Sequence, residues 1–131
     1  MNSPTSLVTG VDFLYVPTKD FAAAEEFYGT VLGLPCSKRY GRIAGGEFET
    51  GNLTLQVLEP VAIGREFQAS RQPVALHVDD VAAARAELES RGVSFEGETM
   101  DSGVCHMAFF EDPDGNALML HHRYAPRAAE A

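Results

Sequence analysis

Four histidines, His77, His106, His121 and His122, all fall in the second half of this 131-residue chain, and they are the side chains best suited to chemistry. Imidazole ordinarily titrates near pH 6.5, so it can donate or accept a proton near neutrality, or bind a metal through one ring nitrogen. Three of the four lie in Gly103 to Arg123, GVCHMAFFEDPDGNALMLHHR, which reads as two strands joined by an acidic turn. In Asp112-Pro113-Asp114-Gly115-Asn116, proline presets φ, glycine supplies a positive φ, and Asp and Asn can bond nearby amides. Pairing Glu111 with Asn116 sets Ala108 against Met119 and His106 against His121 on one face, together with Phe110. Cys105, Met107, Phe109, Leu118 and Leu120 are then expected on the opposite, helix-covered face. A slip of one residue would exchange the two faces.

His77 shares parity with Ala75 and Pro73 and is expected on the same face as His106 and His121, whereas His122 has the opposite parity. Four readings stay open for His77, His106 and His121. They are candidate catalytic acid/base residues, recognition groups for a ligand, a relocated metal site, or hydrogen-bonded structural histidines. No carboxylate and no His-x-His spacing anchors them as a metal site. Cys36 and Cys105 have no CxxC spacing and are expected as reduced thiols, with Cys105 lacking a neighbouring base that would make it a nucleophile. No GxGxxG, GxxxxGK or GxSxG occurs, which removes dinucleotide, P-loop and α/β-hydrolase readings.

Composition narrows the partners. With 45% hydrophobic residues the chain can build one domain but hardly two. A net charge of −9 disfavours nucleic acid and anionic membrane, either of which would need a basic patch. No apolar run approaches the ~20 residues needed to span a bilayer, and MNSPTSLVTG lacks the regions of a signal peptide. A soluble, cytoplasmic protein is expected.

The elements that must position these side chains read as follows. Val11 to Val16 is a strand, and Asp20 caps a helix running to about Leu32 with Phe21, Ala24, Phe27, Tyr28 and Val31 on its inner side and Gly33 at its end. Three short strands follow, at Cys36 to Tyr40, Gly46 to Glu49 and Leu53 to Leu58. Glu59 to Pro73 has no clean period and reads as a connection. The order then restarts: strand Val74 to Val78, a helix capped by Asp80 and ended by Gly92, a short strand Ser94 to Glu96, and the hairpin. DFAAAE at Asp20 matches DVAAAR at Asp80, and LGL at Leu32 echoes RGV at Arg91, so the chain holds a duplicated unit. This gives a first βαβββ module over residues 8–58, a connection over 59–73, a second module over 74–124, and a tail over 125–131 expected to fray.

Two such modules with a DPDG hairpin in the second resemble the vicinal oxygen chelate superfamily, which groups glyoxalase I, bleomycin resistance proteins and extradiol dioxygenases. VDFLYVPTKDFAAAEEFYGTVLGLP is similar to its opening, LQVLEP to its fourth strand, ALHVDDVAAARAELESRGV to its second opening and FFEDPDGNALML to its closing hairpin. The resemblance implies an α+β fold of half-barrel sheets with helices outside and a cavity within, in a homodimer. It also implies a divalent cation held by four strands, but the matching positions here are Phe13, Gln56, Pro73 and Met119. Only Gln56 could coordinate, as one weak neutral oxygen, so no metal and no other cofactor is expected. The reading that follows is a small-molecule-binding protein, closest in kind to the bleomycin-resistance branch. Its ligand would be partly apolar or aromatic, contacting Phe13, Tyr15, Glu47, Gln56, His77, His106, Met119 and His121. The alternatives are a lyase, isomerase or dioxygenase-like enzyme using the cavity histidines, with or without a non-standard metal site, and a regulatory or partner-binding subunit.

Overall fold

Two aspartates start the two helices in the same way. Asp20 accepts from the Ala23 amide at 3.3 Å and Asp80 from the Ala83 amide at 3.0 Å, each satisfying one of the donors that a helix start leaves open. The computed structural model describes residues 6–127. Its elements are β1 (Phe13–Pro17), α1 (Phe21–Glu25, continued by a wider turn over Glu26–Val31), β2 (Cys36–Arg39), β3 (Gly45–Glu49) and β4 (Thr54–Leu58). They continue with β5 (Val74–His77), α2 (Val81–Ser90), β6 (Phe95–Asp101), β7 (Cys105–Glu111) and β8 (Ala117–Arg123). The order β-α-β-β-β therefore occurs twice. Each half forms a four-stranded mixed sheet, β1-β4-β3-β2 and β5-β8-β7-β6, in which β1 runs parallel to β4 and β5 parallel to β8.

The repeat is imperfect in one informative place. Between its aspartate and its glycine the first helix carries one residue more than the second, Asp20 to Gly33 against Asp80 to Gly92. The extra residue is absorbed by π-helical bonding, with the Leu32 amide reaching back five residues to the Phe27 carbonyl at 2.8 Å. Phe27 and Tyr28 lie in this widened turn and both are buried.

One core serves both sheets. Val16, Phe48, Leu55 and Val57 from the first, and Ala108, Phe110, Leu118 and Leu120 from the second, join Phe21, Phe27, Tyr28, Val81 and Leu88 in a continuous buried cluster. The Phe27 ring sits 6.5 Å from Phe110, and Tyr28 sits 6.1 Å from Phe48. Each such side chain contributes roughly 1.5–3 kcal/mol by leaving water. The helix-covered faces of the sheets thus share the core, and their other faces are left outside it.

Some expectations require correction. β6 runs on to Asp101, although Glu96, Gly97, Glu98 and Thr99 show no apolar alternation; as an exposed edge strand it buries too little to display one. β8 continues through the histidines to Arg123. The connection contains a 3₁₀ turn, Pro60–Ile63, and the preceding Glu59 accepts from the Phe21 amide at 2.8 Å. Of the tail, Ala125 still donates to Val104 at 3.2 Å, and residues 128–131 lie outside the described part.

The most consequential correction is the register of the hairpin. Glu111 pairs with Ala117, so Phe110 faces Leu118, Ala108 faces Leu120, Met107 faces His121 and His106 faces His122. The Asp112 amide donates to the Asn116 carbonyl at 3.0 Å, which closes a three-residue loop whose last residue, Gly115, has φ +86°. One residue more in the turn moves all of β7 by one. β8 keeps its expected faces, with Leu118 and Leu120 inward. β7 exchanges them: Ala108 and Phe110 are core, while Cys105, Met107 and Phe109 take the other side.

Candidate functional site

The outer face of the first sheet follows from its register. Tyr15, Gln56 and Glu47 form one cross-strand row, and Phe13, Thr54 and Glu49 form the next. Phe13 is 50% exposed and Tyr15 39%, a large aromatic surface for a sheet whose other face contributes Val16, Phe48, Leu55 and Val57 to the core. Tyr40, just beyond β2, reaches over this face and donates its hydroxyl to the Glu47 carboxylate, while Gln56 Nε2 donates to the same hydroxyl at 3.3 Å. Burial, then the bond to Glu47, push the Tyr40 phenol above its ordinary value. Burial also raises Tyr15, opposed in part by Arg65. Beside them Glu49 accepts from Ser37 at 2.5 Å and Thr54 at 2.7 Å, which lowers its carboxyl and keeps it ionised. Tyr40 was missed from the sequence because a bulge between Cys36 and Lys38 interrupts the parity along β2.

On the second sheet, Ala75, Met119 and Phe109 form one outer row and His77, His121 and Met107 another. Met119, His121 and His77 therefore stand where expected. His106 does not. It lies on the other face opposite His122, with Nε2 3.5 Å from Asp101 and its ring 4.6 Å from that of Tyr124. Asp101 is in turn held by the Gly103 amide at 2.8 Å and the Tyr124 hydroxyl at 2.7 Å, and these bonds lower its carboxyl. His77 is solvated, with Nε2 3.3 Å from Asp79 and its ring 5.7 Å from that of His122. The three histidines do not converge on one concavity within the chain. The five-residue cluster Phe13, Tyr15, Glu47, Gln56 and Tyr40 does form one surface. Cys36 is exposed and Cys105 buried, both as free thiols.

The acidic turn has a different task. Asp112 accepts from the amides of Asp114 and Asn116 at 2.9 Å each, from Asn116 Nδ2 at 2.7 Å and from the buried Tyr28 hydroxyl at 2.7 Å. Asn116 also donates to the Pro17 carbonyl at 2.8 Å, and Asp114 accepts from Thr18 at 2.5 Å and the Lys19 amide at 2.9 Å. These carboxylates clamp the second half onto the first and leave no free pair for acid/base work.

The residues present do not fit the divalent cation that the resemblance implies. Phe13 and Pro73 offer no donor atom, Met119 offers a thioether, and Gln56, whose Nε2 donates to Tyr40, offers one neutral amide oxygen. Among the described residues no group of three or more His, Cys, Asp or Glu side chains is placed to hold a metal.

Comparison with known proteins identifies the family and the fold. Residues 10–120 match the model of the Glyoxalase/Bleomycin resistance protein/Dioxygenase superfamily. The uncharacterized protein YaeR of Escherichia coli is 30% identical over 124 residues, covering 86% of this chain and 95% of that one. TnmS3, an antibiotic binding protein from Streptomyces sp. CB03234, superposes with TM-score 0.75 at 24% identity over 90% of this chain and 98% of its own. A glyoxalase family protein from Bacillus anthracis superposes with TM-score 0.78 at 18% identity, over 90% and 98% of the two chains, and shares the fold.

Proposed function

The chain belongs to the glyoxalase/bleomycin resistance protein/dioxygenase superfamily, and we propose that it is a member that binds a small organic molecule without a divalent metal, in the cytoplasm. One observation carries the reading. The outer face of the first sheet replaces metal donors with exposed aromatic surface at Phe13 and Tyr15, and sets a hydrogen-bonded Glu47, Tyr40 and Gln56 beside it. Apolar walls with a few fixed polar groups are what a small-molecule site requires. The antibiotic-binding function of TnmS3 supports a ligand of this kind. The molecule is partly aromatic, stacks on Phe13 and Tyr15 and sets a polar end toward Glu47 and Gln56.

The wall opposite is supplied by a second copy. The two outer faces lie on either side of the shared core, so Met119 and His121 of one chain reach a ligand on Phe13 only across a homodimer. Among the described residues no helix is long and apolar enough to cross a membrane.

A thermal-shift screen of aromatic antibiotics, followed by calorimetry on Tyr15→Ala, tests the reading. A ligand whose affinity falls about tenfold or more in the variant supports it. Turnover of a bound compound that is lost in His77→Ala would replace it with the enzyme reading, for which the His77–Asp79 contact at 3.3 Å is the one favourable observation.

A further inference from the structure

Because the two halves repeat one plan, a space filled in one and open in the other is informative. In the filled half, the β7–β8 turn packs against the end of β1 and the first helix, where Asp112, Asp114 and Asn116 hold Tyr28, Thr18 and the Pro17 carbonyl. The repeat maps this space onto one between the β3–β4 turn, the end of β5 and α2. Leu88 takes the place of Tyr28, Val78 that of Thr18 and Thr50 that of Asp112.

In this second place the filling groups are missing. The Thr50 amide closes on the Leu53 carbonyl at 3.0 Å, so the turn between them is one residue shorter than the loop from Asp112 to Asn116 and carries no carboxylate. Leu88 has no hydroxyl to reach across. What is left is a cavity of about 430 Å³ on the helix side of the sheets, walled by Leu53, Leu55, Leu76, Val78, Ala84 and Leu88. Thr50, Asn52, Glu87 and Arg91 supply polar side chains to its lining. Arg91 donates through Nε to Glu87 at 3.0 Å and through Nη1 to the Val31 carbonyl at 2.8 Å, and Nη2 makes no hydrogen bond among the described residues.

We infer that this cavity is a second binding site, distinct from the outer face, for a compact aromatic or alicyclic molecule with one hydrogen-bond-accepting end set toward Arg91. Its volume falls within the roughly 300–1,000 Å³ of small-molecule pockets. The apolar walls accept a ring system, as Tyr28 is accepted in the other half, and Arg91 offers the polar contact that Asp112 supplies there. Neither Phe13 nor Tyr15 touches this space, so the site stands independently of the function proposed above.

Fluorescence titration of the full chain with anilinonaphthalene sulfonate, an aromatic probe with an anionic end, tests the inference. Saturable binding that weakens about tenfold or more in Ala84→Phe, which fills the cavity, supports it. Affinity retained in Phe13→Ala separates this site from the outer face. Should Ala84→Phe fail to fold by circular dichroism, Arg91→Met carries the test, with weakened binding expected. Absence of saturable binding, undiminished binding in the cavity variants, or loss of binding in Phe13→Ala would overturn the inference.

Discussion

Tyr28 shows how much rests on one hydroxyl. It is fully buried, and its 2.7 Å bond to Asp112 ties the first helix to the second hairpin. Tyr28→Phe leaves a buried carboxylate oxygen short of a donor and is expected to cost about 1–3 kcal/mol in chemical denaturation. The same residue sets an alkaline limit. Burial first, and then the charge of Asp112, raise its phenol far above the ordinary value of 10.0, so the folded protein keeps the proton that the unfolded chain releases. The stabilisation is complete below pH 10 and declines above it, by roughly 1.4 kcal/mol per pH unit for one proton. Urea titrations from pH 8 upward should show a steeper alkaline loss in the wild type than in Tyr28→Phe; parallel curves would refute the assignment. Among the candidate site residues, His106 shows the opposite lesson. Its type suited chemistry, but its place opposite His122 gives it to Asp101 and Tyr124.

At the scale of the element, the β7–β8 hairpin decided which side chains the second sheet presents. Its residues were legible as a turn, and the positive φ of Gly115 was anticipated from the glycine itself. Its length was not legible, because a four-residue and a five-residue connection use the same Asp, Pro, Gly and Asn preferences. The choice is made by tertiary bonds from Tyr28, Thr18 and Pro17, which hold Asp112, Asp114 and Asn116 in place. Gly115→Ala, which forces a side chain into φ +86°, should destabilise by about 1–2 kcal/mol, read from the denaturation midpoint. A neutral result would mean that the loop adopts another closure.

For the whole molecule, the proposed function requires a second copy to close each outer face into a cleft, so the expected species in sedimentation is a dimer of about twice the 14.2 kDa chain mass. A monomer at micromolar concentration would contradict the cleft. Elemental analysis after dialysis should find no stoichiometric divalent metal, because Phe13, Pro73 and Met119, at three of the four ligand positions that the resemblance implies, offer no oxygen or imidazole. One tightly held zinc, nickel, iron or manganese per chain would move the protein to the enzyme reading. The resemblance covered most of the chain through motifs that specify turns, caps and core faces, and these are the parts of a fold written in local sequence.

The duplicated order, both aspartate caps and the outer faces of β1, β4, β5 and β8 could all be read from residue types and spacing, since each depends on near neighbours in the chain. The faces of β7, the reach of Tyr40 onto Glu47 and the cavity at Leu88 could not. Each depends on contacts between segments far apart in sequence, whose competition with equally plausible local arrangements is settled only when the core closes.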